Sequence, residues 1–200
     1  MKTILAFGVY FGLAGAALAA GPVTDSSYRE GGVQECSAVI DAPVAEVWKA
    51  FSTSEGFVKW AVPVTHIDFR VGGIMESSYS TDAKIGVSDT IKNEIVSFIP
   101  EHLLVIHNVH VPKGAPFIPE LIDHIRTIFR FEDLGGGKTR VTATGIGYLP
   151  GPGYDTMFGH FRTGNAESLE SLEKSFRDGP IDWKAEEAAE RGVEAKLGKH

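Results

Sequence analysis

Seven histidines, one cysteine and 26 carboxylate side chains are the residues of this 200-residue chain that could do chemistry. His107 and His110 flank Asn108 in the run Leu103 to Val111, which reads as a strand. A spacing of three puts the two histidines on opposite faces of a regular strand, so they do not converge on one metal ion. His66 and Asp68, two apart, share a face. A metal site there needs a third ligand, such as His107 or His160, and no H-E-x-x-H or C-x-x-C spacing supplies one. No metal site is expected. Cys36 has no disulfide partner, and its place in the alternating run Val33 to Ile40 marks a buried strand thiol without an activating context. No G-x-S-x-G is present. Gly145-Ile146-Gly147 is followed by Pro150 rather than by a helix, so these read as strand glycines, and no cofactor is expected. Glu76, Asp68, Glu120 and His107 remain as general acids or bases for an enclosed apolar space. His107 and Glu76 are the candidate pair.

The aromatic residues point to such a space. Trp60, Phe69, Tyr79, Phe98, Phe129, Phe131, Tyr154, Phe158 and Phe161 are more than a small core needs. Trp48, Phe51 and Phe131 are expected in the core. Trp60, Tyr79, Tyr154 and Phe158 lie near the ends of expected elements, and Tyr154 and Phe158 share a helix face at i and i+4. The candidate ligand-binding set is Trp60, Tyr79, His107, Tyr154, Phe158 and Phe161, with Trp60, Tyr79, Tyr154 and Phe158 around one entrance.

The elements that position these residues follow from periodicity. Val33 to Ile40 alternates as a strand. Val44, Val47, Trp48 and Phe51 recur at helical spacing behind Pro43. A second short helix, capped by Ser52-Thr53-Ser54, carries Phe57, Val58 and Trp60 and stops at Pro63. The period then changes to two. Strands are expected over Val64 to Val71, Ile74 to Thr81, Asp89 to Ile99, Leu103 to Val111, His124 to Asp133 and Lys138 to Leu149. Gly72-Gly73 and Gly135-Gly136-Gly137 make tight turns, and Lys113 to Glu120 is irregular. Within Ile74 to Thr81, Met75, Ser77 and Tyr79 take one face and Ile74, Glu76 and Ser78 the other. Tyr154 to Arg177 places Phe158, Phe161, Ala166, Leu169, Leu172 and Phe176 on one helical stripe, and Asp178-Gly179-Pro180 ends it. The resulting α+β fold is a curved antiparallel sheet wrapped around a long C-terminal helix, with two short helices after the first strand.

Residues 1–19 read as a secretory signal: a basic Met1-Lys2, an apolar run from Ile4 to Leu18, and small residues in Ala17-Leu18-Ala19. The run is shorter than the roughly 20 residues of a spanning helix, so no stable membrane span is expected after cleavage. The expected organisation is signal 1–19, leader or linker 20–32, one domain over 33–178, and a loosely held polar tail over 179–200. The net charge of −7 becomes −8 without Lys2, which argues against nucleic acid or anionic lipid as partner. A periplasmic or secreted location follows.

The chain resembles the START-like superfamily, also called SRPBCC, with its helix-grip fold. Its nearest likeness there is the branch related to the activator of the heat-shock-protein-ninety ATPase. The resemblance rests on Ile40-Asp41-Ala42-Pro43 with Val47-Trp48, Trp60 before Pro63, Gly72-Gly73, Ile95 to Pro100 followed by His102-Leu103, and Gly135 to Thr142. It covers roughly residues 33 to 178, with Pro112 to Asp123 in place of a usually short connection. It implies a cavity between sheet and helix. The leading expectation is a binding protein for a small hydrophobic or amphipathic ligand. The alternatives are a cofactor-free enzyme of polyketide cyclase or aromatase type using His107 and Glu76, and an envelope protein-interaction module docking through Pro112 to Glu120, for which an exposed apolar tip at Phe117-Ile118 would speak.

Overall fold

Two residue periods build the molecule, and a computed structural model describes residues 23–25, 32–113, 115 and 118–197. The expected signal over 1–19 lies outside the described residues, as does Phe117. The strands are β1 (Thr24–Asp25), β2 (Gln34–Ile40), β3 (Val64–Ile67), β4 (Ile74–Ser78), β5 (Ile91–Ile99), β6 (Leu103–His110), β7 (Arg126–Gly135) and β8 (Lys138–Ile146). The helices are α1 (Val44–Ser52), α2 (Ser54–Phe57), α3 (Pro119–Ile122), α4 (Pro152–Asp178) and α5 (Trp183–Leu197). One antiparallel sheet runs in the order β1-β2-β8-β7-β6-β5-β4-β3. This is the helix-grip arrangement that the sequence implied.

In β2, Gln34, Cys36, Ala38 and Ile40 are buried and face α4, while Glu35, Ser37 and Val39 turn outward. The β7–β8 hairpin closes through Gly135, Gly136 and Gly137, whose φ angles of 75°, 62° and 75° favour glycine. Thr53 caps α2 by accepting from the Gly56 amide at 3.0 Å. Pro152 opens α4, where a missing N–H costs nothing. The helix lies close along β2 and touches β8, and makes no comparably close approach to β4, β5 or β6.

Two segments differ from expectation. Thr24 and Asp25 pair with Ser37 and Cys36, so the expected leader contributes a short edge strand. Asp25 also pairs with Arg162 of α4. The polar tail contains α5, as its Ala-, Glu- and Lys-rich sequence allows, but it is less loosely held than expected. Its start is tied down where the Ile181 amide donates to the Lys59 carbonyl and the Trp183 indole donates to the Val58 carbonyl. Burying an indole with its N–H satisfied outweighs the thin apolar stripe that suggested a free tail.

Candidate functional site

Strand parity and one bulge decide which side chains face α4. Ser77 pairs with Ile91, Glu76 with Lys92 and Met75 with Asn93, so Met75 and Ser77 are on the inner face and Glu76 on the outer. The buried Met75 belongs to the core, in agreement. On β6, Asn93 pairs with Asn108 but Lys92 pairs with His110, so Val109 is an extra residue. Such a bulge resets the alternation. Lys92 and Glu94 share the outer face of β5, and so do their partners His110 and His107. The expectation that His107 and His110 take opposite faces is therefore corrected.

The same geometry corrects the proposed acid–base pair. His107 and Glu76 both sit on the outer face, away from α4, and so line no common interior site. The Glu76 carboxylate accepts from Thr90 Oγ1 at 2.7 Å and the Gly86 amide at 2.8 Å, with Lys92 Nζ 3.8 Å away. Burial alone would raise its pKa, and is the largest single influence. The hydrogen bonds from Thr90 and Gly86, with the charges of Lys92 and His66, together outweigh it and hold the carboxyl below its ordinary value. Glu76 thus pins the loop between β4 and β5. A depressed folded-state pKa means this contribution is present at neutral pH and is lost as pH falls through the folded-state value. Glu76→Gln is expected to lower the melting temperature at pH 7, with the gap from the parent closing as pH drops below the glutamate range. A gap independent of pH would overturn the assignment.

His107 is buried, and its Nε2 stands 3.5 Å from Asp123 Oδ1 without a hydrogen bond. Burial and then the Arg126 charge lower its pKa, against the pull of Asp123 and Glu94. Among the described residues no group of three His, Cys, Asp or Glu side chains is placed to hold a metal ion. Burial pushes the Cys36 thiol up to about 12, as expected of a structural strand cysteine.

The aromatic set divides. Trp60 is 3% exposed, donates its Nε1–H to the Ala50 carbonyl at 2.9 Å, and packs on Phe51 and Phe57. It belongs to the main core with Trp48, Phe51 and Phe131. Tyr154 and Phe158 belong to a second apolar cluster with Ile122, Ile125, Tyr148 and Met157, against which Phe161 packs. Tyr79, just past β4, is 45% exposed and within electrostatic reach of Glu167 on α4. Trp60 therefore does not meet Tyr154 and Phe158 at one entrance, because the turn that follows α2 sets its indole against Ala50 and Phe51 in the core.

Between the two apolar clusters runs a belt of polar groups that the sequence reading did not single out. Gln34 is fully buried, and its Oε1 accepts from Asn165 Nδ2 of α4 at 2.6 Å. Gln34 pairs across the sheet with Gly145, and Gly145 with Thr127, so all three share the inner face. A Cβ on Gly145 would stand 2.8 Å from the Tyr148 hydroxyl oxygen and 3.0 Å from Gln34 Oε1, so both oxygens overhang the glycine. Further along the inner face, Asn108 Nδ2 donates to Asn93 Oδ1 at 3.2 Å. Two atoms of the belt are buried without a hydrogen-bond partner among the described residues: the Tyr148 hydroxyl and Asn108 Oδ1. Each such group costs about 1–3 kcal/mol when left unpaired. Burial also pushes the Tyr148 phenol up in pKa, so it is a protonated donor.

Residues 41–177 match the family described as Activator of Hsp90 ATPase homolog 1-like protein. The chain belongs to this family. Its family span leaves out β1, β2 and α5, so Gln34 lies before it and the rest of the belt within it. The fold is similar to that of the Aha1 dimer from Colwellia psychrerythraea, at 20% identity over 74% of this chain and 97% of that one, with a TM-score of 0.56. It is similar to CalU16 from Micromonospora echinospora, at 20% identity over 89% and 96%, with a TM-score of 0.52. A protein from Arthrobacter aurescens gives 16% identity over 80% and 94%, with a TM-score of 0.58. None of the curated proteins compared matches the chain in sequence. These likenesses establish the START-like fold, and family membership alone assigns no ligand.

A groove of about 520 Å³ opens on the outer face, between Ile99, Leu103, Arg130 and Thr142 among others. Its two arginines are already paired, Arg130 with Glu35 at 2.9 Å and Arg140 with Glu132 at 2.6 Å. At the expected interaction tip, Ile118 is 47% exposed. Both features lie apart from the belt.

Proposed function

We propose that the mature protein is an exported START-like protein that binds a small amphipathic ligand between α4 and the inner face of the sheet. The observation that carries this reading is the Tyr148 hydroxyl, buried in the second apolar cluster without a hydrogen-bond partner among the described residues. A domain that excludes water from a polar group without pairing it is suited to a ligand that supplies the missing partner. Native mass spectrometry tests the reading. The protein purified from the envelope fraction is expected to carry a mass increment that organic extraction removes, and the extracted protein to take up N-phenyl-1-naphthylamine. The bare protein mass in both experiments would overturn it.

Export rests on residues 1–19. Among the described residues no helix is long and apolar enough to cross a membrane. N-terminal sequencing of protein from the envelope fraction is expected to start at Ala20 or next to it. Intact Met1-Lys2 in a membrane pellet would refute a soluble exported form.

A further inference from the structure

A buried histidine sits where the segment from Ile118 to Ile125 meets the sheet. This segment carries α3, which lies against β6. Ile122 and Ile125 are buried and pack with Tyr148, Tyr154, Met157 and Phe158. Leu121 and Ile118 reach over Gly153 at the start of α4, where a Cβ would stand 2.5 Å from Leu121 Cδ1 and 3.4 Å from Ile118 Cδ1. On the side of α4 the segment is therefore held by apolar contact. On the side of the sheet its contacts are polar. His107 is 8% exposed, and its Nε2 has no hydrogen-bond partner among the described residues, with Asp123 Oδ1 3.5 Å away. Arg126, at the start of β7, turns its Nη1 back on the segment and donates to the Asp123 carbonyl at 2.8 Å and the Ile125 carbonyl at 3.0 Å.

Charges of both signs surround this imidazole. β5 presents Glu94, the cross-strand partner of His107, and β7 presents Arg126. The turn after α3 presents Asp123, while its other titratable side chain, His124, approaches the Tyr154 ring. Along β6, His110 is engaged at the Ser88 carbonyl, 2.9 Å away. The Asp123 carboxylate is 79% exposed, so water screens its pull. With the segment closed, a charged imidazole would be cut off from water beside a guanidinium that the turn holds in place. Burial and then Arg126 outweigh Asp123 and Glu94, and set the His107 pKa below its ordinary value. A lowered folded-state value leaves the closed form undisturbed above the ordinary histidine range and weakens it as pH falls through that range.

We propose that His107 is an acid-sensitive latch: when neutral it lets the segment from Ile118 to Ile125 close over Tyr148, Tyr154 and Phe158, and when protonated it releases that segment from the sheet.

The test uses the mature chain and hydrogen exchange of single amides at pH 7.5 and pH 5.5, each rate divided by its intrinsic value at that pH. The Leu121 and Ile122 amides donate to the Ile118 carbonyl and the Ile125 amide to the Ile122 carbonyl, so their protection reports the closed segment. An imidazole at its ordinary value is about nine-tenths protonated at pH 5.5, which limits the effect to about tenfold. These three amides are expected to lose protection about three- to tenfold at pH 5.5, while the amides of β8 keep theirs. His107→Gln is expected to abolish the loss, and His110→Gln and His124→Gln to retain it. Protection unchanged by pH, a loss that persists in His107→Gln, or an equal loss throughout β8 overturns the proposal. Imidazole NMR of the parent needs no variant. A His107 titration midpoint at or above the ordinary histidine value overturns the latch even where His107→Gln fails to fold.

Discussion

Trp60→Ala is expected to destabilise the folded protein by about 3–5 kcal/mol. The indole is 3% exposed, and its ring centre lies 4.7 Å from that of Phe51 and 5.2 Å from that of Phe57. Each aromatic pair of this kind adds about 0.5–1.5 kcal/mol beyond the area it buries. The indole N–H also satisfies the Ala50 carbonyl near the end of α1. Alanine removes the ring, opens a cavity under α1 and α2, and leaves that carbonyl unpaired, so the losses act in the same direction. Trp60→Phe is expected to recover part of the packing but not the hydrogen bond. The affinity of the remaining folded molecules for N-phenyl-1-naphthylamine is expected to be unchanged, because Trp60 lies in the main core and not in the cluster beside Tyr148. Equilibrium denaturation with probe titration measures both quantities. An unchanged denaturation midpoint together with lost probe binding would return Trp60 to the mouth of a cavity.

This placement shows where a single sequence is informative and where it stops. Helical spacing in VAEVWKAF and from Phe158 to Phe176 marks an apolar stripe, because a helix that packs on a sheet must carry one. Alternation in β2 and the glycines of the β7–β8 turn are legible for similar reasons, since each is a local demand of the backbone. Spacing does not say what the stripe meets. Phe57 and Trp60 satisfy the same pattern whether they close a cavity or fill a core, and the contact with Phe51 and Ala50 depends on how α1 and α2 fold together. The bulge at Val109 has no local signature, because valine is an ordinary strand residue. That one extra residue moves His110 to the face of His107, beyond the reach of period counting.

The belt was hidden for a different reason. Its members are common polar residues separated by long stretches of chain, as Gln34 and Asn165 are. Gln34 has the same parity as Cys36, Ala38 and Ile40, which is the one available hint that a polar side chain is being turned inward. Tyr148 follows β8, and its ring returns over Gly145 because the intervening Gly147 has a φ of 93°. A Cβ on Gly147 would also run into the His124 carbonyl oxygen at 2.0 Å, so the close approach of the β6–β7 connection needs glycine there as well.

The long helix carries the second large effect. Its inward stripe passes three zones in order: Tyr154, Phe158 and Phe161 at the second cluster, Asn165 at the belt, and Leu169, Leu172 and Phe176 at the main core. Leu169 is 1% exposed and lies one turn beyond Asn165. Leu169→Ala is expected to cost about 2–5 kcal/mol, from lost burial and from a cavity against β2 that the sheet cannot collapse to fill. The exposed neighbour Glu170 serves as control, with Glu170→Ala expected within about 0.5 kcal/mol of the parent. Because Leu169 sits one turn from the residue that holds Gln34, the substitution is also expected to loosen the Asn165–Gln34 contact. Urea denaturation measures the loss. A denaturation midpoint equal to the parent's would mean that the apolar face of α4 is turned away from β2. The belt would then lose Asn165, its member on the helix, and with it the hydrogen bond that joins α4 to β2.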